Sequence, residues 1–516
     1  MNSLLTNNSA MVALDTLRSI NKDLSTVQAE ISTGKSVSNA KDNAAIWAIS
    51  TVMSTDVESF KQISESLNKG SATVGVARNA SESVTDLIQE MKTLVVSAQD
   101  DLNADDRTRI QADIVAKQEQ ITNIVNAAQF NGVNLVKGTD DSSFLASLDR
   151  QSDGTVSTSS ISVSRQDLTT TAGVFGNGIS GTLSAAFATV DGGSTNTATM
   201  DAATGKALQF DITQENNDTY TLTVNGTELS YLSDADATTA EIQAGLAAQI
   251  NALGIEGLTV DTGTTDKLIL RNENPFTSIT ATADSDVSAN FVAETNDGAT
   301  VAGGDVNSLQ TLEQRATSID FSATAAVEEG RGFQITLGSN SVSYVAGKGE
   351  TMADVARGLK TALDGASISG VTSEVQYDST NDVWSLAVDD ATGGQTLTIV
   401  ANDGAGTASG GLVGLDKIDV STVDSAKAAL ANIETLLGNS ISAASAFGSD
   451  QGRIESQSEF VTQLSDSLTS GIGTLVDADL EAASARLQAL QVQQQLGTQA
   501  LSIANQAPQS LLSLFR

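Results

Sequence analysis

The sequence predicts an α + β protein: a long α-helical coiled-coil core built from both chain termini, with β-rich α+β outer domains inserted between them. Three observations carry this. Glycine is segregated: residues 1–137 hold only Gly34, Gly70, Gly75 and Gly132, residues 421–516 hold six, and the other 32 of the 42 lie between. In both glycine-poor ends, apolar residues recur at alternating steps of three and four, the spacing of a helical seam. The middle instead shows short strand-like runs, turn dipeptides and an internal repeat.

The first helix carries its seam on Ala10, Ala13, Leu17, Ile20, Leu24, Val27 and Ile31, and Gly34-Lys35 breaks it. A second, unusually long helix restarts near Asp42-Asn43-Ala44. Its seam runs from Ile46 through Phe60, Ile63, Leu67, Val74, Val84, Ile88 and Met91 to Val95, eased at Gly70 and Gly75. A third follows the Asp-rich turn at 100–106, with Ile110, Ile114, Ile121, Ile124 and Ala128 on one face, and Phe130-Asn131-Gly132-Val133 closes the zone as a turn. At the other end, a helix over 421–470 carries Leu430, Ile433, Leu437, Ile441, Ala444, Phe447, Ile454, Val461, Leu464 and Leu468. Gly471 and Gly473 are expected to break it, and a last helix begins near Asp477. Its seam is Leu480, Ala483, Leu487, Leu490, Gln494, Gly497, Leu501, Ala504, Pro508 and Leu511.

The middle repeats itself. Leu222–Tyr231 is echoed by Ile335–Tyr344, and the register continues through Thr238/Thr351, Ile242/Val355, Gly245/Gly358, Leu246/Leu359 and Ile250/Leu363. Lys267-Leu268-Ile269-Leu270 is then set against Val383-Trp384-Ser385-Leu386. Each unit reads as hairpin, short helix, hairpin, and Tyr231, Tyr344 and Trp384 read as core. The expected division is a terminal coiled-coil core at 1–40, a helical domain at 41–137 and a β-rich linker at 138–204. Repeat modules at 205–290 and 325–405 follow, with linkers at 291–324 and 406–420. A second helical domain at 421–475 and a terminal coiled-coil core at 476–516 complete the chain.

Composition removes most chemistry. The 516 residues include no cysteine and no histidine, so no thiolate nucleophile, imidazole base or Cys/His metal site exists. Twenty-seven basic residues against 63 acidic give a net charge of −36, a field unsuited to nucleic acid or anionic membranes. The N-terminus lacks the basic and apolar regions of a cleaved secretory signal, and no run is long enough to insert in a membrane. Gly176-Asn177-Gly178-Ile179-Ser180-Gly181 matches a dinucleotide pattern in letters but lacks the flanking strand and helix. Gly205-Lys206 lacks the earlier glycine of a phosphate loop, and Asp234 and Asp236 read as a helix-start region rather than a calcium site. The expected protein has no cofactor and is not an enzyme.

The terminal seams raise a physical problem. Fixing each backbone residue costs about 1–2 kcal/mol, and one partner helix covers only one face of another. The ends are therefore expected to be disordered or marginal in the free monomer and ordered among several copies, which makes folding part of assembly.

The residues at both ends resemble bacterial flagellin. The N-terminal match is Asn7-Asn8-Ser9-Ala10-Met11-Val12-Ala13-Leu14, Ser32-Thr33-Gly34-Lys35, Asp42-Asn43-Ala44-Ala45 and Ala128-Gln129-Phe130-Asn131-Gly132. The C-terminal match is Asp477-Ala478-Asp479, Gln493-Gln494-Gln495-Leu496-Gly497, Ala504-Asn505-Gln506-Ala507-Pro508-Gln509 and Leu511-Leu512-Ser513-Leu514-Phe515-Arg516. The resemblance implies a filament whose subunits pair their termini in concentric helical layers, with the modules outermost. It implies a polymerisation interface on Leu5, Ala10, Leu14, Leu17, Ile20, Leu24, Val27 and Ile31, and on Leu487, Leu490, Leu501, Leu511, Leu512, Leu514, Phe515 and Arg516. It also implies unfolded, uncleaved export through the flagellar type III system to an extracellular filament that serves swimming. The partners implied are other copies, cap and hook-junction proteins, and a cytoplasmic export chaperone. Relatives sensed by the animal innate receptor carry an arginine where this chain has Glu90, while Leu94 and Asp113 keep the expected character. The resemblance thus implies an altered receptor patch and weak activation.

Two other readings compete. A hook–filament junction protein shares the terminal helices, but the full Ala504–Arg516 match favours the filament. A glycan-binding module mounted on a filament would need an exposed aromatic or acidic cluster on the repeats. The Ser/Thr-rich stretch 138–200 is an expected O-glycosylation surface.

Overall fold

The computed structural model describes residues 7–100, 103–151, 155–176, 187–190, 195–200, 206–285, 291–295, 310–402 and 406–514. The chain divides into two compact units. One comprises Met1–Ala72, Ser143–Val163 and Ser449–Arg516; the other comprises Thr73–Ser142 and Ser164–Gly448. The described helices are α1 (Asn8–Thr33), α2 (Ala44–Ser97), α3 (Ala104–Ala127), α4 (Thr239–Ala252), α5 (Met352–Gly365), α6 (Val423–Val476) and α7 (Leu480–Leu514). Helices α2 and α6 contribute residues to both units.

Helix boundaries follow from caps. The Asn7 side chain accepts from the Ala10 N–H to start α1, and Gly34, in the left-handed region at φ +68°, ends it with an N–H donated to Glu30 O. Asn103 caps α3 through the Asp106 N–H, and Asp105 and Asp106 place negative charge at its positive end. The expected break at Gly471 and Gly473 does not occur: α6 continues to Val476. A helix-interior glycine costs only about 1 kcal/mol relative to alanine, and neither glycine adopts positive φ. The stop comes at 477–479, where Asp479 accepts from the N–H groups of Glu481 (3.1 Å) and Ala482 (3.0 Å) to start α7. Nor is α2 interrupted at Gly70; a Cβ there would lie 2.9 Å from the Phe144 ring, so the glycine makes room for that ring.

Strands β1 (Gln129–Phe130) and β2 (Val133–Asn134) flank Asn131 and Gly132, whose φ values of 49° and 81° make the tight hairpin turn read in the sequence. Strands β3 (Ser142–Arg150) and β4 (Val156–Val163) form a two-stranded sheet. In the first unit it is held to helical residues by Leu145 N–H to Ser66 Oγ (3.1 Å) and Gln457 Nε2 to Ala146 O (2.9 Å).

The repeats are two modules of one design in the second unit. After β5 (Ala188–Val190) and β6 (Thr197–Thr199), module 1 contains β7 (Lys206–Ile212), β8 (Thr219–Val224), β9 (Thr227–Leu232), β10 (Leu258–Asp261), β11 (Lys267–Asn272), β12 (Ile279–Ser285), β13 (Phe291–Thr295) and β14 (Gln310–Leu312). Module 2 contains β15 (Thr317–Phe321), β16 (Gly332–Leu337), β17 (Asn340–Val345), β18 (Val371–Asp378), β19 (Val383–Asp390) and β20 (Thr396–Ala401). Module 1 is two sheets, β10-β11-β7-β13 and β14-β12-β8-β9, with α4; module 2 is β18-β19-β15-β5 and β17-β16-β20-β6, with α5. Each buries one continuous core: Phe210, Tyr220, Leu222, Ile242, Leu246 and Leu268 in module 1, and Phe321, Phe333, Ile335, Tyr344, Leu359 and Leu386 in module 2.

The repeat register has a physical basis. Thr238 and Thr351 both start their helices with capping boxes, closed by Glu241 and Asp354. Gly245 and Gly358 both face a tyrosine: a Cβ would lie 2.2 Å from the Tyr231 ring or 2.5 Å from the Tyr344 ring.

Two expectations are corrected. Segment 291–324 is not a linker: it supplies β13 and β14 to module 1 and β15 to module 2, and the preceding 138–204 supplies β5 and β6. These strands run only three to five residues, too short for an alternation signal. The second hairpin register also shifts. Leu268 pairs with Phe210, whereas in module 2 it is Leu386 that pairs with the inner strand, at Ile319. The β18–β19 ladder runs further, to Asp378↔Val383. Trp384 accordingly sits at the hairpin tip, half-buried, with its ring 4.7 Å from that of the exposed Tyr377 and the Arg357 guanidinium 4.8 Å from its centroid. It is not a core residue.

Candidate assembly surface

Helices α1 and α7 run antiparallel as a two-stranded coil in the first unit. The core of the pair is Ile20, Leu24, Val27 and Ile31 from α1 against Ala483, Leu487 and Leu490 from α7. Each set steps by three and four residues, so both seams face each other. Towards the other end, Leu17 lies close to Gly497, whose added Cβ would approach Leu17 Cδ1 to 2.9 Å. Polar bonds fix the register: Gln494 Nε2 donates to Asn21 Oδ1 at 2.7 Å, and Asn7 Nδ2 donates to Ala504 O at 2.8 Å.

The segments that turn into and out of the pair are tied together. Ser36 N–H donates to Val476 O (2.7 Å) and Ala478 N–H to Gly34 O (3.0 Å). Between Gly34 and α2, the Asp42 carboxylate accepts from the N–H groups of Ser38 (3.0 Å) and Asn39 (3.1 Å). The Ser38 amide, foremost among these, holds that carboxyl below its usual range.

The expected interface residues therefore divide. Ala10, Leu17, Ile20, Leu24, Val27, Ile31, Leu487, Leu490 and Leu501 are half-buried or buried and lie along the seam of this pair. Leu14 is exposed and lies off it. Leu5, Phe515 and Arg516 lie outside the described residues, as do the side chains of Leu511, Leu512 and Leu514.

Reading the seam alone misses the outer faces. Met11 (58%), Val12 (67%) and Leu14 on α1, and Val492 (56%), Leu496 (57%) and Ile503 (68%) on α7, expose large apolar side chains to water. Trp47, Ile49, Val52, Phe460 and Leu475 extend the pattern in the same unit. The signal was present in the sequence as apolar residues between the seam positions. Large apolar side chains left exposed this often along paired helices point to an interaction site.

In the second unit, Glu90 is exposed and ion-paired with Lys117 of α3, and Lys92 pairs with Glu434 of α6. Leu94 is half-buried and Asp113 exposed. Asp234 and Asp236 lie in the turn ahead of the Thr238 cap. Asn177–Gly181 and Gly205 lie outside the described residues. No described helix is long and apolar enough to cross a membrane.

A model of the bacterial flagellin N-terminal helical region matches residues 4–141, and one of the bacterial flagellin C-terminal helical region matches residues 430–515. Flagellin A of Rhizobium meliloti is 31% identical over 516 residues, covering 100% of both chains. Flagellin FljK of Caulobacter vibrioides is 39% identical over 173 residues, 33% of this chain and 63% of its own. Among solved structures, flagellar hook associated protein-3 from Legionella pneumophila is matched over 82% of this chain and 98% of that one, at 10% identity and a TM-score of 0.33. With paired terminal helices and full-length likeness to a named relative, this chain belongs to the bacterial flagellin family.

Proposed function

We propose that this chain is the structural subunit that polymerises into the bacterial flagellar filament and serves swimming motility, rather than an enzyme. The observation that carries the reading is the α1–α7 pair: a complete seam within the subunit, with a second set of apolar residues left outside it. Burying a large apolar side chain is worth about 1.5–3 kcal/mol, so Met11, Val12, Leu14, Val492, Leu496 and Ile503 favour a state in which other copies cover them. The interface thus extends beyond the seam residues to these outer positions, and it includes the chain tips Leu5 and Leu511–Arg516. The modules 205–290 and 325–405 are the outermost part of the filament.

Export through the flagellar type III system delivers the chain unfolded to the extracellular tip. A cytoplasmic chaperone covers the C-terminal helix beforehand, and hook-junction and cap proteins bound the growing polymer. Removing residues 505–516 tests the reading. The expected product is soluble and has folded modules by circular dichroism but gives no filaments by electron microscopy; normal filaments from it would refute the role of the tips.

Glu90 sets the response of the animal innate receptor. With a carboxylate in place of a cation, and already paired with Lys117, the patch carries the reverse charge, a mismatch of several kcal/mol at the centre of an interface. Glu90→Arg should raise reporter-cell activation at least tenfold over the unmodified chain. Equal responses would remove the reading.

A further inference from the structure

Strands β9 and β17 occupy the same place in the two modules, as the outer strand of a hairpin at the edge of a sheet. Their ladders are in the same phase. Ser233 N–H donates inward to Asp218 O, as Ala346 N–H does to Arg331 O. Antiparallel pairing alternates inward and outward backbone groups, so Glu228, Ser230 and Leu232 present theirs away from β8, and Ser341, Ser343 and Val345 away from β16.

The two edges differ in what covers them. In module 2 the chain's own Ser409 covers the last residue of β17. Val345 N–H donates to Ser409 Oγ at 3.1 Å, and Ser409 N–H donates to Val345 O at 2.9 Å. Gly406 donates to Gly330 O at 2.9 Å, and a Cβ on it would sit 3.1 Å from Val345 Cγ1. Val345 is fully buried, whereas Leu232, its counterpart in module 1, is 68% exposed. Among the described residues, only Gln249 Nε2 reaches that edge, at Ser230 O (2.9 Å).

We propose that the β9 edge of module 1 is a docking strand for an extended segment of a second copy of this chain. The segment bonds β9 at Leu232 as Ser409 bonds β17 at Val345 within one copy. The occupant follows from two facts. At the matching place in module 2 this chain's own Ser409 already bonds both outward groups of Val345, and a filament sets copies at fixed neighbouring positions; the proposal rests on the filament reading in this respect. Backbone bonds to the outward groups of β9 supply affinity, and burial of Leu232 supplies specificity. The charge of Glu228 on the same strand discourages indiscriminate edge pairing.

The absence of cysteine allows Leu232→Cys to carry a single thiol-attached benzophenone at an exposed position. Labelled protein is doped sparsely into unlabelled protein, grown into filaments, irradiated and resolved by denaturing electrophoresis and peptide mass spectrometry. The expected result is covalent dimers from filaments and none from monomers at the same concentration, with adducts confined to one strand-length segment. Filaments that yield no dimers, adducts only within the labelled chain, or adducts scattered over many segments would overturn the docking strand while leaving the filament reading intact. Failure of the unlabelled chain to form filaments would overturn both.

Discussion

Tyr231 and Gly245 in module 1, and Tyr344 and Gly358 in module 2, are the same contact made twice. Their environments differ. Tyr344 is buried and its hydroxyl donates to Glu350 at 2.8 Å, so its ring cannot turn aside. Tyr231 is half-buried and has room to move. Gly358→Ala should therefore destabilise module 2 by about 1–3 kcal/mol, the usual cost of overpacking. Gly245→Ala should cost module 1 clearly less. Denaturant unfolding of the two variants checks this, and equal costs would contradict the packing account. The pairing Gly245/Gly358 was legible as a repeat in the sequence, but its cause was not, because a ring lying on a helix leaves no periodic trace. Trp384 was misplaced for a related reason. Similar letters at 267–270 and 383–386 suggested one register, while the longer β18–β19 ladder moved that tryptophan to a hairpin tip.

At the scale of elements, the helices were legible because a seam of three-and-four steps is long and redundant. The seam from Phe60 to Val95 is buried wherever the sequence placed an apolar residue on it. The false stop at Gly471 shows the limit, since a glycine ends a helix only when the chain needs positive φ there. Short strands fared worse. Strands β5 and β6 complete the sheets of module 2 from a point in the chain before module 1, while β13 and β14 complete module 1 from behind it. Module 1 is therefore an insertion within module 2, which pattern alone does not reveal. Joining Met200 to Arg315 through a short flexible linker should leave module 2 folded, with a cooperative unfolding transition near that of the full chain. Deleting 187–200 should abolish that transition, because β15 and β20 each lose a neighbour. If the second deletion were harmless, the nested arrangement would be wrong.

For the whole molecule, stability is distributed unevenly by design of the sequence. The modules bury closed cores of their own, whereas the first unit keeps its exposed apolar residues on the terminal helices and around Trp47 and Phe460. The seam was readable from the sequence, and so were the apolar residues between its positions; that these stay uncovered was not, since it depends on the antiparallel pairing of helices at opposite ends of the chain. A single contact stripe protects backbone amides poorly against local opening, and burial among neighbouring copies adds stability only when they are present. Hydrogen–deuterium exchange of residues 8–33 and 480–514, in monomer and in filament, measures this directly. Rapid exchange of both helices in the monomer, with slowing of at least a hundredfold in the filament, is the expected result. Equal protection in the two states would show that the terminal pair is complete by itself and that assembly does not depend on its open faces.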